Sequence, residues 1–263
     1  MKEVIFVIIV CLLTEQEQVQ SQLQVQSQAQ VQVQAQEQSP VQVHQHQIWD
    51  QLLKQFVSET GLVNYSGFKK NSARLDQYLE LLQQNPVQES WSRSQRLAYW
   101  INAYNAFTVK LIVDHYPVAS IRDIQRPWAR KFIHFGDLSY SLDQIENQII
   151  RPEFMEPRIH FALVCAAVSC PNLLNQAYLP EKLNEQLDQQ TRYFINESGK
   201  NKLSPNLVEL SKLFSWYGTD FTERGTLIDF INQYSEQPIS DKAKIKYLEY
   251  NWDLNDSTFF DVR

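Results

Sequence analysis

The chain has 263 residues, a length that suits one large domain or two small ones. Its 24 Lys+Arg against 30 Asp+Glu give a net charge of −6, and no finger, RNP or P-loop pattern occurs, which argues against a nucleic-acid surface. Six glycines leave little material for a phosphate cradle, and three cysteines do not make a disulfide scaffold.

Val4 to Leu13, VIFVIIVCLL, forms a short apolar block behind Lys2, too short to span a bilayer and about right for the core of a signal peptide over residues 1–21. Export to the periplasm, cell surface or medium is therefore expected, with no membrane span in the mature domain. The Gln-rich tract that follows alternates Gln with Val or Ala and lacks the apolar mass to fold. Residues 22–47 read as a disordered linker in which His44 and His46 are solvated.

A single globular domain is expected over residues 48–263. Ile48, Trp49, Leu52, Leu53, Phe56 and Val57 recur at helical spacing. A loop through Gly61 to Lys70 leads to a second helix marked by Leu75, Tyr78, Leu79 and Leu82 and stopped at Asn85-Pro86. Ser92 and Gln95 make a capping box for a longer helix that runs to Tyr116 and closes at Pro117. Its apolar stripe is Leu97, Trp100, Tyr104, Phe107 and Leu111, and Asn102 and Asn105 border that face. Amides there either bind a neighbouring loop or orient a ligand, because a buried unpaired amide costs about 1–3 kcal/mol.

Phe132 to Leu142 reads as a hairpin around Gly136-Asp137 carrying His134, and Ser141 with Gln144 caps a short helix ended by Pro152. Glu146 sits at the edge of that helix's buried face. The stretch Arg158 to Leu174, RIHFALVCAAVSCPNLL, opens as a run that is mostly apolar on both alternating faces through Cys165 and is predicted to be a buried central strand with Arg158 and His160 near its start. It ends in a tight corner at Ser169-Cys170-Pro171. A helix opening at Pro171 would put Cys170 at its N-terminus, where backbone N–H groups favour a thiolate. Buried structural thiols, a Cys165–Cys170 disulfide, and a metal site with His160 are the alternatives, the last disfavoured by the absence of CxxC.

From Pro180 a helix with Leu183, Leu187, Thr191, Phe194 and Ile195 inward runs to Gly199. A hairpin around Ser204-Pro205-Asn206, short helices at Leu213–Tyr217 and Leu227–Tyr234, and a last strand near Ile245–Tyr250 complete the chain. The fold class is α+β, mostly helical, with a small, mainly antiparallel sheet.

The motifs WINAYNAFTVKLI, SLDQIENQIIR, RIHFALVCAAVSCPNL, LSKLFSWYGTDF and IKYLEYNWDLND, in that order between about residues 97 and 256, resemble the domain of unknown function 547 family. The resemblance implies bacterial exported or plant relatives and no settled activity. Family members often read Glu-His where this chain has Glu146-Asn147, and Gly or Ser where it has Ala166.

Two functions compete. In a thiol-dependent hydrolase or acyl transferase, Cys170 is the nucleophile, His160 the base and Glu146 its orienting carboxylate. Asn102, Asn105 and Arg158 then bind the small-molecule or peptide substrate, with no metal or cofactor. This requires the chain to double back between Ala166 and Ser169, since a straight strand would separate His160 from Cys170 by roughly 25 Å at about 3.3 Å per residue. The other reading is a non-catalytic surface module binding a protein, peptide or glycan through Trp128, Trp216, Tyr217 or Trp252.

Overall fold

A computed structural model describes residues 46–259. The expected signal peptide, Cys11, His44 and nearly all of the Gln-rich linker lie outside the described residues. His46 lies inside them and is not solvated: it is buried in the first helix, α1 (residues 46–56), with its Nδ1 2.8 Å from Tyr78 Oη.

The expected loop after α1 contains a helix, α2 (Tyr65–Lys70), because the Asn64 side chain accepts the Gly67 N–H and caps it. α3 (Ser72–Gln84) and α4 (Arg93–His115) follow as predicted, α4 with the full Ser92/Gln95 capping box. From Leu97 to Val109 every residue of α4 is buried. A helix buried all round is the centre of a core rather than one of its faces, and α4 is the axis on which the main hydrophobic cluster packs.

β1 (Ile133–Phe135) and β2 (Leu138–Tyr140) form the predicted hairpin, turning at Gly136 with φ 59°. α5 (Leu142–Gln144) widens into a π turn over Ile145–Ile150 and tightens again as α6 (Arg151–Phe154). The helical stretch therefore runs past Pro152 and stops at Met155 in the left-handed region. Pro152 has no N–H, so in the first turn after the π segment it forfeits little.

The largest departure from expectation is at Arg158. Pro157–Phe161 is a 3-10 helix whose N-terminus is capped by the Glu156 side chain, and residues 162–174 are irregular and largely buried instead of containing a central strand. Periodicity cannot separate a short buried strand from another buried conformation. Here the backbone groups find side-chain partners: Asn105 of α4 donates its Nδ2 to Ala162 O (2.9 Å) and accepts from the Val164 N–H (3.0 Å). Ala166, at φ 60°, then turns the chain back on itself, and no helix opens at Pro171.

A second cluster packs Phe161 against α7 (Leu183–Asn196), α8 (Leu213–Trp216), α9 (Gly218–Phe221) and α10 (Leu227–Asn232). Beside it lies a small mixed sheet in which β4 (Leu207–Leu210) pairs antiparallel with β3 (Lys202–Leu203) and parallel with β5 (Lys244–Tyr247). The fold is thus α+β and mostly helical. No described helix is long and apolar enough to cross a membrane.

Candidate active site

Where the two clusters meet, the surface opens into a cleft of about 280 Å³. α4 contributes Tyr104, α5 and the π turn Asp143, Glu146 and Asn147, the 3-10 helix His160, the irregular segment Cys165 and Cys170, α8 Trp216, and the C-terminal segment Tyr250 and Trp252.

The cysteine loop is clamped from both sides. Asn105 holds its entry. Its exit is laced to the C-terminal segment by Val168 N–H to Asp253 O (2.9 Å), Ser169 N–H to Asn251 O (3.2 Å) and Asn255 N–H to Ala166 O (3.2 Å). The same lacing delivers Tyr250 and Trp252 to the cleft wall. Turned back in this way, the loop brings the Cys165 N–H to 2.6 Å from Cys170 Sγ. Both thiols are free, and Tyr250 Oη lies 3.2 Å from Cys165 Sγ.

These contacts polarise the pair. Burial disfavours the Cys170 thiolate, but hydrogen bonds from the thiol and N–H of Cys165, together with the Lys200 ammonium, outweigh it and hold this thiol below its ordinary value. Burial, and then the Cys170 sulfur it donates to, push the Cys165 thiol up. Lys200 binds the Cys170 carbonyl and Asn172 Oδ1, and burial lowers its pKa to about 8 although the neighbouring sulfurs pull the other way.

The imidazole is oriented by a carboxylate, but a different one from that expected. His160, 2% exposed, places Nε2 2.8 Å from Asp220 Oδ2, and its ring stacks on Tyr217 with centroids 3.9 Å apart. Asp220 is gripped by Arg151 through two bonds of 2.7 Å. Burial opposes ionisation of Asp220, yet His160 and Arg151 together keep its pKa far below the usual carboxylate range. An ionised carboxylate only accepts, so Nε2 carries a proton and Nδ1 is the nitrogen left to exchange one. Glu146 instead accepts from Tyr104 Oη at 3.1 Å, with Tyr217 also within hydrogen-bonding reach.

Cys170, His160 and Glu146 therefore share one cleft, whereas Asn102, Asn105 and Arg158 do not line it. Asn102 spends its amide on the backbone of Tyr178 (2.8 and 2.9 Å), as Asn105 does on the cysteine loop. Arg158 is tied to Glu156, Asp188 and Asn184. His134 bonds Ser139 and His115 the Leu111 carbonyl, and neither reaches the cleft. Asp220, Lys200, Tyr250 and the donor role of Cys165 were missed. Asp220, Cys165 and Tyr250 had a sequence signal, lying in the motifs Leu210–Phe221, Arg158–Leu173 and Ile245–Asp256, whereas Lys200 lies in none of them. No group of three or more His, Cys, Asp or Glu able to hold a metal ion occurs among the described residues.

Residues 88–195 match the family described as "Protein of unknown function, DUF547". Over that segment, which carries α4, the π turn, His160 and both thiols, the chain resembles the family; Asp220 and the aromatic wall lie beyond it. No curated protein and no solved structure matches the chain.

Proposed function

We propose that the cleft performs thiol-dependent acyl transfer or hydrolysis on a small molecule or peptide, with Cys170 as nucleophile and His160, oriented by Asp220, as the proton carrier. The observation that carries this reading is the 2.6 Å approach of the Cys165 N–H to Cys170 Sγ in a cleft shared with a carboxylate-bound imidazole. Among the described residues no hydrogen bond joins His160 to either sulfur. The thiolate is thus stabilised by fixed donors rather than by a neighbouring base, and the imidazole is left to serve the other side of the reacting carbon.

In that scheme the Cys170 thiolate adds to the substrate carbonyl, and the bond to the leaving group breaks as that group takes the proton from Nδ1 of the imidazolium. Water or an acceptor then attacks the thioester, returns a proton to Nδ1 and releases the thiolate. Export, supported by the apolar block of residues 4–13, belongs to the same proposal and places the substrate outside the cytoplasm.

The test is the pH dependence of iodoacetamide labelling of Cys170 in the folded chain, mapped by mass spectrometry. Labelling should begin below the ordinary thiol range near pH 8.5 and shift upward in Lys200→Met. It should stay unchanged in His160→Gln, which instead abolishes any turnover found by substrate screening. Labelling of Cys170 only on unfolding would refute the proposal. The exposed aromatic wall would then favour the second reading, a non-catalytic peptide- or glycan-binding module.

A further inference from the structure

We infer that the ligand of this cleft carries an organic cation on a short apolar stem, of the alkylammonium type found in a lysine side chain. The inference deepens the proposed reading by naming what the cleft recognises, and it needs the cleft to be the working site but not Cys170 to be reactive.

One wall is aromatic without a packing reason to be so exposed. Trp216 is 49% exposed, yet it lies 4.7 Å from Tyr250, tilted against it, and 5.8 Å from Trp252, on which it stacks, between ring centroids, in an aromatic group that lines the cleft. Indole faces attract cations, and this wall already does so on one side, where the Arg122 guanidinium sits 5.5 Å from the centroid of Trp252.

The same cleft lining carries two carboxylates. Asp143 is exposed, and Glu146, 7% exposed, accepts from the Tyr104 hydroxyl and forms no ion pair among the described residues, the Arg151 guanidinium acting on it only at longer range. Among the described residues lining the cleft there is no lysine or arginine. The nearby cations are already committed: Arg151 to Asp220, and Lys200 to the Cys170 carbonyl and Asn172. Leu163, Val164 and Leu213 supply an apolar floor for the stem. Aromatic faces, unneutralised carboxylates in a partly desolvated site and an apolar floor together favour a cation over a neutral or anionic ligand of the same shape.

The experiment is a ligand-observed NMR titration of the full chain carrying Cys170→Ser, which separates binding from thiol chemistry. The probes are n-butylammonium, n-butanol and butyrate at one ionic strength. Saturable binding of n-butylammonium is expected, at least tenfold tighter than n-butanol, with butyrate weaker still. Trp216→Ala and Glu146→Gln should each weaken it about tenfold, while Trp216→Phe, which keeps an aromatic face, should retain most of it. Equal binding of n-butanol, preference for butyrate, absence of saturable binding, or selective binding indifferent to both Trp216→Ala and Glu146→Gln would each overturn the inference. Because the thiol is absent, such a failure leaves the labelling test of Cys170 untouched.

Discussion

Replacing Asn105 by Ala removes one side chain and leaves two buried backbone groups, the Ala162 carbonyl and the Val164 N–H, without the partners they have at 2.9 and 3.0 Å. Asn105 is 1% exposed, so water has little access to replace it. At about 1–3 kcal/mol for each of the two unpaired buried groups, the loss should total roughly 2–6 kcal/mol. Against the typical 5–15 kcal/mol of a domain this leaves a folded but weakened protein, measurable as a shift in urea midpoint. A second readout separates the clamp from generic packing. Val164 precedes Cys165, whose N–H holds the Cys170 sulfur, so Asn105→Ala should also raise the pH at which Cys170 is alkylated. Asn102→Ala breaks an equivalent pair of bonds, to Tyr178, and should cost similar stability while leaving the thiol unchanged. A loss below about 1 kcal/mol in Asn105→Ala, or thiol titrations that move together in the two variants, would refute the argument that the amide positions the cysteine loop.

Two further outcomes follow from buried groups elsewhere. Burial lowers the His46 pKa from 6.5 to about 4, so between those values the unfolded chain binds more protons than the folded one. Its contribution should be complete above about pH 6.5 and disappear as the pH falls towards 4. At about 1.36 kcal/mol per pH unit that is roughly 3 kcal/mol, and His46→Phe should flatten this part of the stability profile; parallel profiles for the two proteins would contradict it. Gly61 has φ 77°, and a Cβ there would lie 2.3 Å from Asn172 Cβ and 2.8 Å from its Cα. Gly61→Ala should therefore cost roughly 2 kcal/mol or more in a thermal melt, by backbone strain and overpacking together, and a neutral substitution would mean that the Asn172 loop yields freely.

The site was partly legible in the sequence because some of its signals are chemical. Two thiols and an imidazole within one short apolar segment pointed to Cys170 and His160, and Glu146 was found from its place beside a buried helical face. The partner assignments were not legible. His160 takes its carboxylate from Asp220, 60 positions along the chain, and nothing local distinguishes that acid from Glu146. The four aromatic residues expected to form a contact surface do share a site, but only the turn at Ala166 and the lacing of residues 250–255 bring them to the thiols.

What the sequence determined by itself is what depends on neighbours a few residues apart. The capping boxes at Ser92 and Ser141, the long helix α4, the hairpin at Gly136 and the mostly helical α+β class all rest on local hydrogen bonds and on a repeating apolar face. Tertiary structure alone decided the conformation of residues 158–170. An apolar run of that length is equally at home as a strand or as a buried turn, and the choice fell to whichever partners satisfied its backbone. Those partners are an amide on α4 and a returning C-terminal segment, both distant in sequence, and by satisfying the backbone without a β-ladder they fold the chain back and set one sulfur against the N–H of the other cysteine.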